Sequence, residues 1–404
     1  MSFSSFNRPR RRSSNGRKRV FTGYGGKPIK QFGGKPASSI NPKQLVRSAM
    51  PKDMITYEPT RTFDEMPIIG RLKTILKQKG YTHPTEIQDK TLEDLLAGKD
   101  LIGIAKTGTG KTAAFMVPII HRLLTGRPFQ TLIMVPTREL AQQVLKEFHS
   151  MSTGLGLNAA CFIGGTGLAH DLKTARRMNH VVIGTPGRLN DLVQRRALRM
   201  SDFTVLVLDE FDRMLDMGFS PDVMRLALAM TNRKQTALFS ATIDKTQSRL
   251  INQLTENPVE VKVSTGDVTA DLVDQDVVNI PPGETKMNVL INLLSDPQFD
   301  KVLLFAETKR MVQRLHRDLT RAGISVDQIH GDKSQSLRKK ALDRFRHGQV
   351  KVLVATDVAA RGLDITDVSH VINFQLPRDF QSYLHRIGRT GRAGKSGKAL
   401  TFVS

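Results

Sequence analysis

The chain has 404 residues, 39% of them hydrophobic and 25% charged, which is ordinary for a soluble protein with two domains and a sizeable core. Its formal net charge of +23 favours a polyanionic partner, of which nucleic acid is the commonest. No apolar run approaches the roughly 18 residues that cross a bilayer, and no apolar signal segment is present, which argues against membrane insertion and export. The single cysteine, Cys161, excludes a disulfide framework and a cysteine-based zinc site. We therefore expect a cytoplasmic protein.

Residues 1–49 form a basic segment with twelve Lys or Arg residues and no Asp or Glu. This composition buries too little apolar surface to offset the entropy of ordering, so we predict a disordered tail. Aromatic residues among the basic ones, such as Phe6 and Tyr24, are suited to stacking on single-stranded bases. A solubilising tail, an organellar transit peptide and a nuclear signal are alternative interpretations of the same composition.

From residue 50 onward, short apolar runs alternate with amphipathic segments, which indicates βα units and parallel sheets. The pattern occurs twice, with a polar stretch containing Gly and Pro between the two halves. We therefore predict one α/β domain over 50–262, a linker over 263–285 and a second α/β domain over 286–404. The predicted strands are Leu132–Val135, Val181–Ile183, Val205–Leu208, Ala237–Phe239, Val302–Phe305, Val352–Ala355, Val371–Asn373 and Leu400–Val403, and the predicted helices include Glu139–Met151 and Gln335–Arg346.

A phosphate-binding loop is predicted between the apolar run Leu101–Ile104 and a helical pattern. Its sequence is Ala105-Lys106-Thr107-Gly108-Thr109-Gly110-Lys111-Thr112, with Ala105 where the usual pattern has its first glycine. The glycines let backbone N–H groups turn inward around phosphates, and the helix N-terminus adds its dipole. We predict that Lys111 reaches the β- and γ-phosphates and that the Thr112 hydroxyl binds Mg²⁺. The alternative is a glycine-rich turn with a surface lysine. The position of the loop between a strand and a helix argues against this alternative, because a simple turn would not require it.

Three later strands of the first half each end in a cluster of small, polar or basic residues. These clusters are Pro136-Thr137-Arg138-Glu139, Thr185-Pro186-Gly187-Arg188 and Ser240-Ala241-Thr242. A single such turn is unremarkable. Several at successive strand ends would build one rim of hydroxyls, amides and arginines suited to a phosphodiester backbone.

Two adjacent carboxylates, Asp209 and Glu210, follow the run Val205–Leu208 directly. Groups at the carboxyl ends of parallel strands face the ligand crevice, and paired carboxylates there are costly without a cation. We predict that Asp209 holds the Mg²⁺ shell and that Glu210 is the general base for the attacking water. An acidic turn that begins a helix is the alternative, which the phosphate loop about a hundred residues earlier disfavours.

The second half carries a further set of polar and basic motifs. They are Thr356-Asp357, Arg361-Gly362-Leu363-Asp364 and His385-Arg386-Ile387-Gly388-Arg389-Thr390-Gly391-Arg392. Arginines three residues apart with glycines between them rarely serve a core, and they are suited to reaching a γ-phosphate across a cleft, where such groups are worth about 10³–10⁵ in kcat. We therefore predict that hydrolysis requires closure of the two domains, with a surface RNA-binding arginine cluster as the alternative.

Taken in order, these motifs resemble those of bacterial DEAD-box RNA helicases of helicase superfamily two, from Phe63 to Ser404. Gly80-Tyr81-Thr82-His83-Pro84-Thr85-Glu86-Ile87-Gln88 resembles the family's Q motif, and Phe63 stands where the family keeps an isolated aromatic residue. The resemblance implies two tandem RecA-like α/β domains, each with a mostly parallel sheet flanked by helices. It also implies an ATP- and Mg²⁺-dependent RNA helicase that hydrolyses ATP in the interdomain cleft and unwinds short duplexes or remodels RNA–protein complexes.

The resemblance further implies roles for individual residues. Gln88 would read adenine, with Tyr81 and Phe63 nearby, and an amide can bond bidentately to the adenine edge. Gly362 and Asp364 would contact the nucleotide, Arg389 and Arg392 the γ-phosphate, and Asp212, Ser240, Thr242 and His385 would couple hydrolysis to RNA work. The implied RNA-binding residues are Pro136, Thr137, Arg138, Gly165, Thr185 and Arg188 in the first domain and Thr308, Gly331, Gln335, Arg338 and Thr356 in the second. Contacts to backbone and sugar hydroxyls would favour RNA over DNA with little sequence specificity.

Three features depart from the family's usual pattern. Phe211 stands where the family name has alanine, so the acidic motif reads Asp-Glu-Phe-Asp, and its ring could alter packing behind the site. Gln375 stands where many relatives have an acid. The sequence ends at Ser404, where relatives usually continue, so both a complete and a shortened second domain are compatible with it.

Other functions compete with an RNA-stimulated ATPase that unwinds duplexes. The same motifs would serve an ATP-gated RNA clamp that acts as a protein platform, and a DNA translocase of the same superfamily would share most of them. An unrelated phosphate-loop kinase would not explain Arg389 and Arg392. We expect a monomer, with protein partners reached through the tails.

Overall fold

The computed structural model describes residues 38, 40–49, 57–106, 108–126, 129–263, 273–360, 365, 368–391 and 397–403. Most of the predicted tail, residues 1–37, and the predicted site residues Thr107, Gly362, Asp364 and Arg392 lie outside this set, as does the side chain of Gln335. Within the described residues, no helix combines the length and apolar character needed to cross a membrane.

The first domain is built on a seven-stranded parallel sheet with the order β3-β4-β2-β5-β6-β1-β7. Its strands are β1 (Leu101–Ile104), β2 (Gln130–Met134), β3 (Ala159–Phe162), β4 (Val181–Gly184), β5 (Phe203–Leu208), β6 (Gln235–Ser240) and β7 (Val259–Lys262). Successive residues of the central strands enter different apolar clusters: Val205 and Val207 lie in one, Leu206 and Leu208 in the other. Both faces are therefore buried, as expected of a parallel sheet with a helical layer on each side.

Nine helices in the described part of the first domain cover these faces. They are α1 (Gly70–Gln78), α2 (Glu86–Leu96), α3 (Lys111–Thr125), α4 (Arg138–Met151), α5 (Leu168–Ala175), α6 (Pro186–Gln194), α7 (Phe211–Asp216), α8 (Ser220–Ala229) and α9 (Lys245–Leu254). Several begin directly after a strand. Thr137 caps α4 because its side chain accepts a hydrogen bond from the Leu140 N–H at 3.2 Å, and proline opens α6 at the position where its missing N–H has no cost.

The second domain has a six-stranded parallel sheet with the order β10-β11-β9-β12-β13-β8. Its strands are β8 (Val273–Asn279), β9 (Val302–Phe305), β10 (Val326–Ile329), β11 (Val352–Ala355), β12 (His370–Asn373) and β13 (Gly397–Val403). Its helices are α10 (Lys286–Ser295), α11 (Lys309–Arg321), α12 (Gln335–Arg346), α13 (Asp357–Ala360) and α14 (Phe380–Ile387). Two tandem α/β domains with parallel sheets confirm the predicted fold class, and all eight predicted strands are present.

The strands that the sequence patterns did not reveal, β3, β7, β8 and β10, are the four edge strands of the two sheets. An edge strand is covered less completely, and β7, β8 and β10 accordingly have mixed sequences, whereas β3 is short and consists mainly of small residues. β8 shows the consequence, because buried Val273 and Gln275 alternate with exposed Asp274 and Asp276. The polar stretch 263–285, predicted to be a linker, therefore contains a strand of the second sheet.

The end of the predicted disordered tail is also structured. Residues Pro42–Leu45 form a short 3₁₀ helix, and Ile40 and Leu45 are buried in the apolar cluster of the second domain that includes Val371. The basic composition averaged over the first 49 residues concealed two apolar side chains that fit an existing core. The prediction of disorder is thus wrong for the described residues between 38 and 49.

Candidate nucleotide site and RNA interface

The phosphate loop joins β1 to α3 and places Lys111 at the first position of the helix. Gly108 and Gly110 have φ values of 87° and 92°, in the left-handed region that glycine adopts without strain. The Nζ of Lys111 is buried and donates to the carbonyl of Ala105 at 2.7 Å. The lysine ammonium therefore lies within the loop, next to the positive end of the α3 dipole, which is an arrangement suited to phosphate. Thr112 follows it, half-buried in the first turn of α3.

The predicted carboxylates lie at the carboxyl end of β5, and both are buried. Oδ1 of Asp209 has no hydrogen-bond partner among the described residues. Burial raises the pKa of Asp209 to about 6, while the nearby Lys111 ammonium opposes that rise. A buried, unpartnered carboxylate oxygen beside a phosphate loop fits a hard divalent cation.

Glu210 is held in a strained backbone conformation by its surroundings. Its φ is 55° and its ψ is 51°, a left-handed conformation that is uncommon outside glycine and costs about 1–3 kcal/mol. Arg213, one turn into α7, donates to Oε2 of Glu210 at 2.8 Å, and both side chains are buried. The ion pair was missed from the sequence, although the i, i+3 spacing of opposite charges on a helix could have indicated it.

A hydrogen-bonded chain connects the acidic motif with the end of β6. Asp212 accepts hydrogen bonds from the backbone N–H groups of Arg213 at 3.0 Å and Ala241 at 3.2 Å. The Asp212 N–H donates to Oγ of Ser240 at 3.3 Å, and that hydroxyl donates to the carbonyl of Thr242 at 2.6 Å. The structure thus brings together the predicted coupling residues Asp212, Ser240 and Thr242.

The predicted adenine-binding residues meet at the N-terminus of α2. Gln88 accepts a hydrogen bond from the Thr85 N–H at 2.9 Å and donates through Nε2 to the carbonyl of Gly110 at 3.1 Å. The rings of Phe63 and Tyr81 lie 6.4 Å apart between centroids. One amide therefore links the α2 terminus to the phosphate loop.

Tyr81 has a partner that sequence reasoning did not identify. Its hydroxyl donates to Oε1 of Glu147 on α4 at 3.1 Å. Burial, together with the Glu147 carboxylate, raises the pKa of Tyr81 to about 12, so the phenol remains a donor at neutral pH.

The predicted RNA-binding residues of the first domain lie at the carboxyl ends of β2, β3 and β4. Pro136, Thr137 and Thr185 are buried and begin or precede helices. The guanidinium of Arg138 packs on the backbone of Gly165, where a Cβ would come within 2.4 Å of Nη1. Arg188 forms an ion pair with Asp171, in which Nη1 lies 2.9 Å from Oδ2, and its Nη2 donates a hydrogen bond to the carbonyl of Thr166 at 3.0 Å.

In the second domain the corresponding residues follow β9, β10 and β11. Thr308 caps α11 by accepting a hydrogen bond from the Met311 N–H at 3.2 Å, Gly331 is exposed, and Thr356 precedes α13. Arg338 does not project freely, because Nη2 lies 2.9 Å from Oε1 of Glu139 in the first domain and 3.3 Å from the carbonyl of Ala359. The predicted RNA contact is therefore also an ion pair between the domains.

A cavity of about 470 Å³ lies between the domains, lined by His385 and Arg386 of the second domain and Asp216 of the first. The sequence analysis assigned a role to Arg389 and none to Arg386, but the guanidinium of Arg386 is firmly held. It forms a bidentate pair with Asp357 at 2.6 and 2.7 Å and donates to Oδ1 of Asn373 at 3.0 Å. Arg389 is buried as well.

Two RecA-like domains, a phosphate loop and an Asp-Glu pair at the end of β5 are the architecture and the motifs of the two-domain, nucleotide-driven class of helicases. The family model for DEAD/DEAH box helicases matches residues 85–250, and that for the helicase conserved C-terminal domain matches residues 285–394. The chain belongs to the DEAD-box RNA helicase family.

Curated relatives agree with this assignment. The chain is 41% identical over 343 residues to the DEAD-box ATP-dependent RNA helicase CshA of Streptococcus pneumoniae, covering 85% of this chain and 65% of CshA. It is 40% identical over 349 residues to the RNA helicase CrhR of a Synechocystis species, covering 86% of this chain and 71% of CrhR. The chain therefore spans about two thirds of the length of these relatives.

Among solved structures, the chain is similar to S. cerevisiae Dbp5 bound to RNA and ADP BeF3. That similarity has a TM-score of 0.75 at 30% identity and covers 85% of this chain and 90% of Dbp5. Against a point variant of Dbp5 bound to a Gle1 variant and IP6 the TM-score is 0.67, and with Nup159 and ADP also bound it is 0.58. Of these three forms of Dbp5, the RNA-bound one gives the highest TM-score.

Proposed function

We propose that this protein is a cytoplasmic RNA-stimulated ATPase that separates short RNA duplexes or remodels RNA–protein complexes. The observation that carries the proposal is that the phosphate-loop amine of Lys111 and an unpartnered carboxylate oxygen of Asp209 are both buried at the cleft edge of the first sheet, close enough for the ammonium to influence the carboxylate. Family membership supports ATP as the nucleotide, and similarity to an RNA-bound form of Dbp5 supports RNA as the ligand.

In the proposed mechanism, Lys111 binds the β- and γ-phosphates and the loop N–H groups hold them. Mg²⁺ would be held by Thr112 and Asp209, largely through water, and would neutralise charge on the phosphates. The first-domain residues Ala105, Lys106, Thr107, Gly108, Thr109 and Gly110 would form the cradle for the phosphates. No cluster of three or more His, Cys, Asp or Glu side chains suited to a metal ion occurs among the described residues.

Glu210 is the proposed general base. Arg213 engages only Oε2, so Oε1 remains able to accept a proton from the attacking water. The left-handed backbone at Glu210 directs its side chain differently from a regular helix residue, and the Arg213 ion pair fixes its orientation. General bases of this kind contribute about 10²–10⁴ to the rate.

Nucleotide selectivity is proposed to come from Gln88, with Tyr81 and Phe63 packing beside the base, as in the family's Q motif. From the second domain, Gly362 and Asp364 would bind the nucleotide, and Arg389 and Arg392 would stabilise the charge of the γ-phosphate. His385 would join Asp212, Ser240 and Thr242 in coupling hydrolysis to RNA. Because the two halves of the site belong to different domains, turnover requires closure.

RNA is proposed to lie across the carboxyl ends of the strands of both domains. The residues that would contact it are Pro136, Thr137, Arg138, Gly165, Thr185, Arg188, Thr308, Gly331, Gln335, Arg338 and Thr356. Backbone contacts of this type recognise phosphates and 2′-hydroxyls rather than base sequence. The protein would act as a monomer, and any protein partners would bind to its tails.

The deciding experiment measures ATP turnover with and without single-stranded RNA, and in parallel the separation of a short labelled duplex. Stimulation by RNA together with strand separation is the expected result. RNA that is held while ATP is bound, without strand separation, would identify a clamp instead. Equal stimulation by DNA would indicate a DNA translocase.

A further inference from the structure

The segment from residue 38 to residue 49 lies against the second domain although it precedes the first domain in sequence. Ile40 is 6% exposed and Leu45 is fully buried, and both join the apolar cluster that contains Val371 and Tyr383. Val46, the residue after Leu45, is 54% exposed. The segment therefore buries a specific apolar face and does not merely rest on the surface.

Polar contacts fix the register of this segment. Arg47 and Gln275 of β8 exchange both backbone hydrogen bonds as an antiparallel bridge, at 2.9 and 2.8 Å. The Ala49 N–H donates to Oδ1 of Asp274 at 3.2 Å, and Ser38 donates to the carbonyl of Pro377 at 2.5 Å. The Gln275 side chain is itself positioned by a hydrogen bond from the Tyr383 hydroxyl at 3.0 Å.

Only seven residues, 50–56, separate this docked segment from a second anchor on the first domain. There Tyr57 donates to Oδ2 of Asp89, and Arg61 contacts Oδ1 of Asp89 at 2.5 Å and Oε1 of Glu93 at 2.6 Å. Asp89 and Glu93 lie on α2, and Asp89 is adjacent to Gln88, the proposed adenine reader.

We propose that the two anchored stretches, residues 40–49 and 57–61, act with the seven-residue connection between them in the sequence as a strap that ties α2 of the first domain to β8 of the second and limits how far the domains separate. An extended chain reaches about 3.3–3.6 Å per residue, so residues 50–56 span at most about 28 Å between Ala49 and Tyr57. The two domains are thus joined twice, once by this strap and once by the chain that leads from β7 to β8. Holding Asp89 also makes Tyr57 and Arg61 positioning residues for Gln88.

A second tether has a predictable physical effect. It keeps the effective concentration of one domain around the other high, because a short connection confines the ends that it joins. A single connection at β8 would leave the second domain free to rotate about that point. A strap that runs to a different part of the first domain removes much of this freedom.

The test is to lengthen the strap without disturbing either anchor. In full-length protein carrying Cys161→Ser, dyes are attached at Lys173→Cys in the first domain and Arg321→Cys in the second, both exposed. Twenty Gly and Ser residues are inserted between Pro51 and Lys52, which extends the reach of the connection to about 95 Å. The matched control has the same insertion between Asn15 and Gly16, outside the strap.

Single-molecule energy transfer in the absence of nucleotide and RNA should show a narrow distance distribution in the parent and in the control. The strap insertion should shift that distribution to longer distances and broaden it. Leu45→Asp should do the same by undocking the segment, whereas Val46→Asp should not. Identical distributions for the two insertions would overturn the strap.

A second readout addresses the positioning role. Arg61→Ala should raise KM for ATP several-fold with little change in kcat, and Arg61→Lys should restore part of the loss. An unchanged KM would limit Arg61 to a structural role and overturn this part of the proposal. The distance measurement does not depend on turnover, so it remains decisive even if the proposed catalytic function fails.

Discussion

Arg338 of the second domain and Glu139 of the first form an ion pair at 2.9 Å, with side chains only 12% and 11% exposed. Burial lowers the pKa of Arg338, and the Glu139 carboxylate opposes that decrease. Glu139 follows Arg138 at the start of α4, and Arg338 lies in the first turn of α12, so the pair joins the two proposed RNA-facing rims. It can exist only while the domains are close together.

Removing one member of this pair should weaken the closed state. Breaking a buried ion pair from one side typically costs about 3–5 kcal/mol, because the remaining charge stays buried without a partner. Arg338→Ala and Glu139→Ala should each raise the RNA concentration needed for half-maximal ATP turnover by at least about tenfold. The reversed pair, Glu139→Arg with Arg338→Glu, should recover part of this loss in a double-mutant cycle. Strictly additive losses would show that the two side chains act separately, Arg338 on RNA alone.

Glu210→Gln should reduce ATP turnover by about 10²–10⁴ while leaving ATP-dependent RNA binding intact. The amide keeps the shape of the side chain but cannot accept the proton of the attacking water. Turnover is measured by phosphate release, and RNA binding by anisotropy with a non-hydrolysable ATP analogue. Glu256→Gln, a change far from the cleft, is the matched control. Normal turnover in Glu210→Gln would assign the base to another residue.

Asp209→Asn should stabilise the unliganded fold while abolishing ATP turnover. Burial raises the pKa of Asp209 from an ordinary value of 3.8 to about 6, so the folded state binds the proton more tightly than the unfolded chain does. The stabilising effect of that proton is complete below about pH 4 and is lost as the pH rises through about 6. Above that pH the buried charge costs about 3 kcal/mol, since one pKa unit corresponds to about 1.4 kcal/mol.

Thermal unfolding without nucleotide, at pH 7.5 and at pH 5, checks this prediction. The variant should melt higher than the parent at pH 7.5, and the difference should shrink at pH 5, where the parent carboxyl is largely protonated. Because the comparison is between variant and parent at each pH, acid effects on other groups cancel to first order. A parent that is more stable than the variant at pH 7.5 would mean that Asp209 is not desolvated in solution.

Gly165→Ala should weaken RNA binding, whereas Gly167→Ala should not. A Cβ at Gly165 would lie 2.4 Å from Nη1 of Arg138 at a φ of 85°, while one at Gly167 meets no atom within 4 Å. The displaced Arg138 would lose its packing surface, so we expect an increase of about tenfold in Kd for single-stranded RNA, equivalent to about 1.4 kcal/mol. Circular dichroism and thermal melting would establish that both variants fold. Equal Kd values would place Arg138 outside the RNA path.

Deleting residues 1–37, which keeps the docked segment in place, should flatten the salt dependence of RNA binding. For a single strand, every phosphate that the protein no longer neutralises reduces the slope of log K against log salt by about 0.7. The measurement is a series of anisotropy titrations at increasing salt with a long single-stranded RNA. A shuffled tail of the same composition is the matched control and should retain the slope. If the truncated protein has the slope of the parent, the tail does not bind RNA.

The parts of the fold and site that could be predicted are those in which one short stretch carries the whole signal. Central strands such as Val352–Ala355 are continuously apolar, and the phosphate loop indicates Lys111 by its own spacing. The edge strands were not predicted from the sequence, because only part of their surface is buried and their apolar pattern is weaker. The Arg338–Glu139 and Tyr81–Glu147 pairs could not be predicted at all, since they depend on how distant helices pack.

The docked segment shows a different limit of sequence reasoning. Ile40 and Leu45 are two apolar residues in a segment whose average composition is strongly basic, so an average over the tail predicts disorder. Their burial depends on an apolar surface of the second domain that is formed by residues more than 200 positions away. Composition describes the solvation of a segment, and it cannot reveal a matching surface elsewhere.

The polar character of three of the four edge strands, β7, β8 and β10, also has a consequence for aggregation. An exposed sheet edge presents unpaired backbone groups to which another chain can add, and charged side chains oppose such pairing. Here β7 carries Glu260 and Lys262, β10 carries Asp327, and β8 carries Asp274 and Asp276 as well as the bridge to Arg47. At these three edges, the mixed sequences that hid the strands from pattern recognition should therefore oppose fibrous, edge-to-edge association.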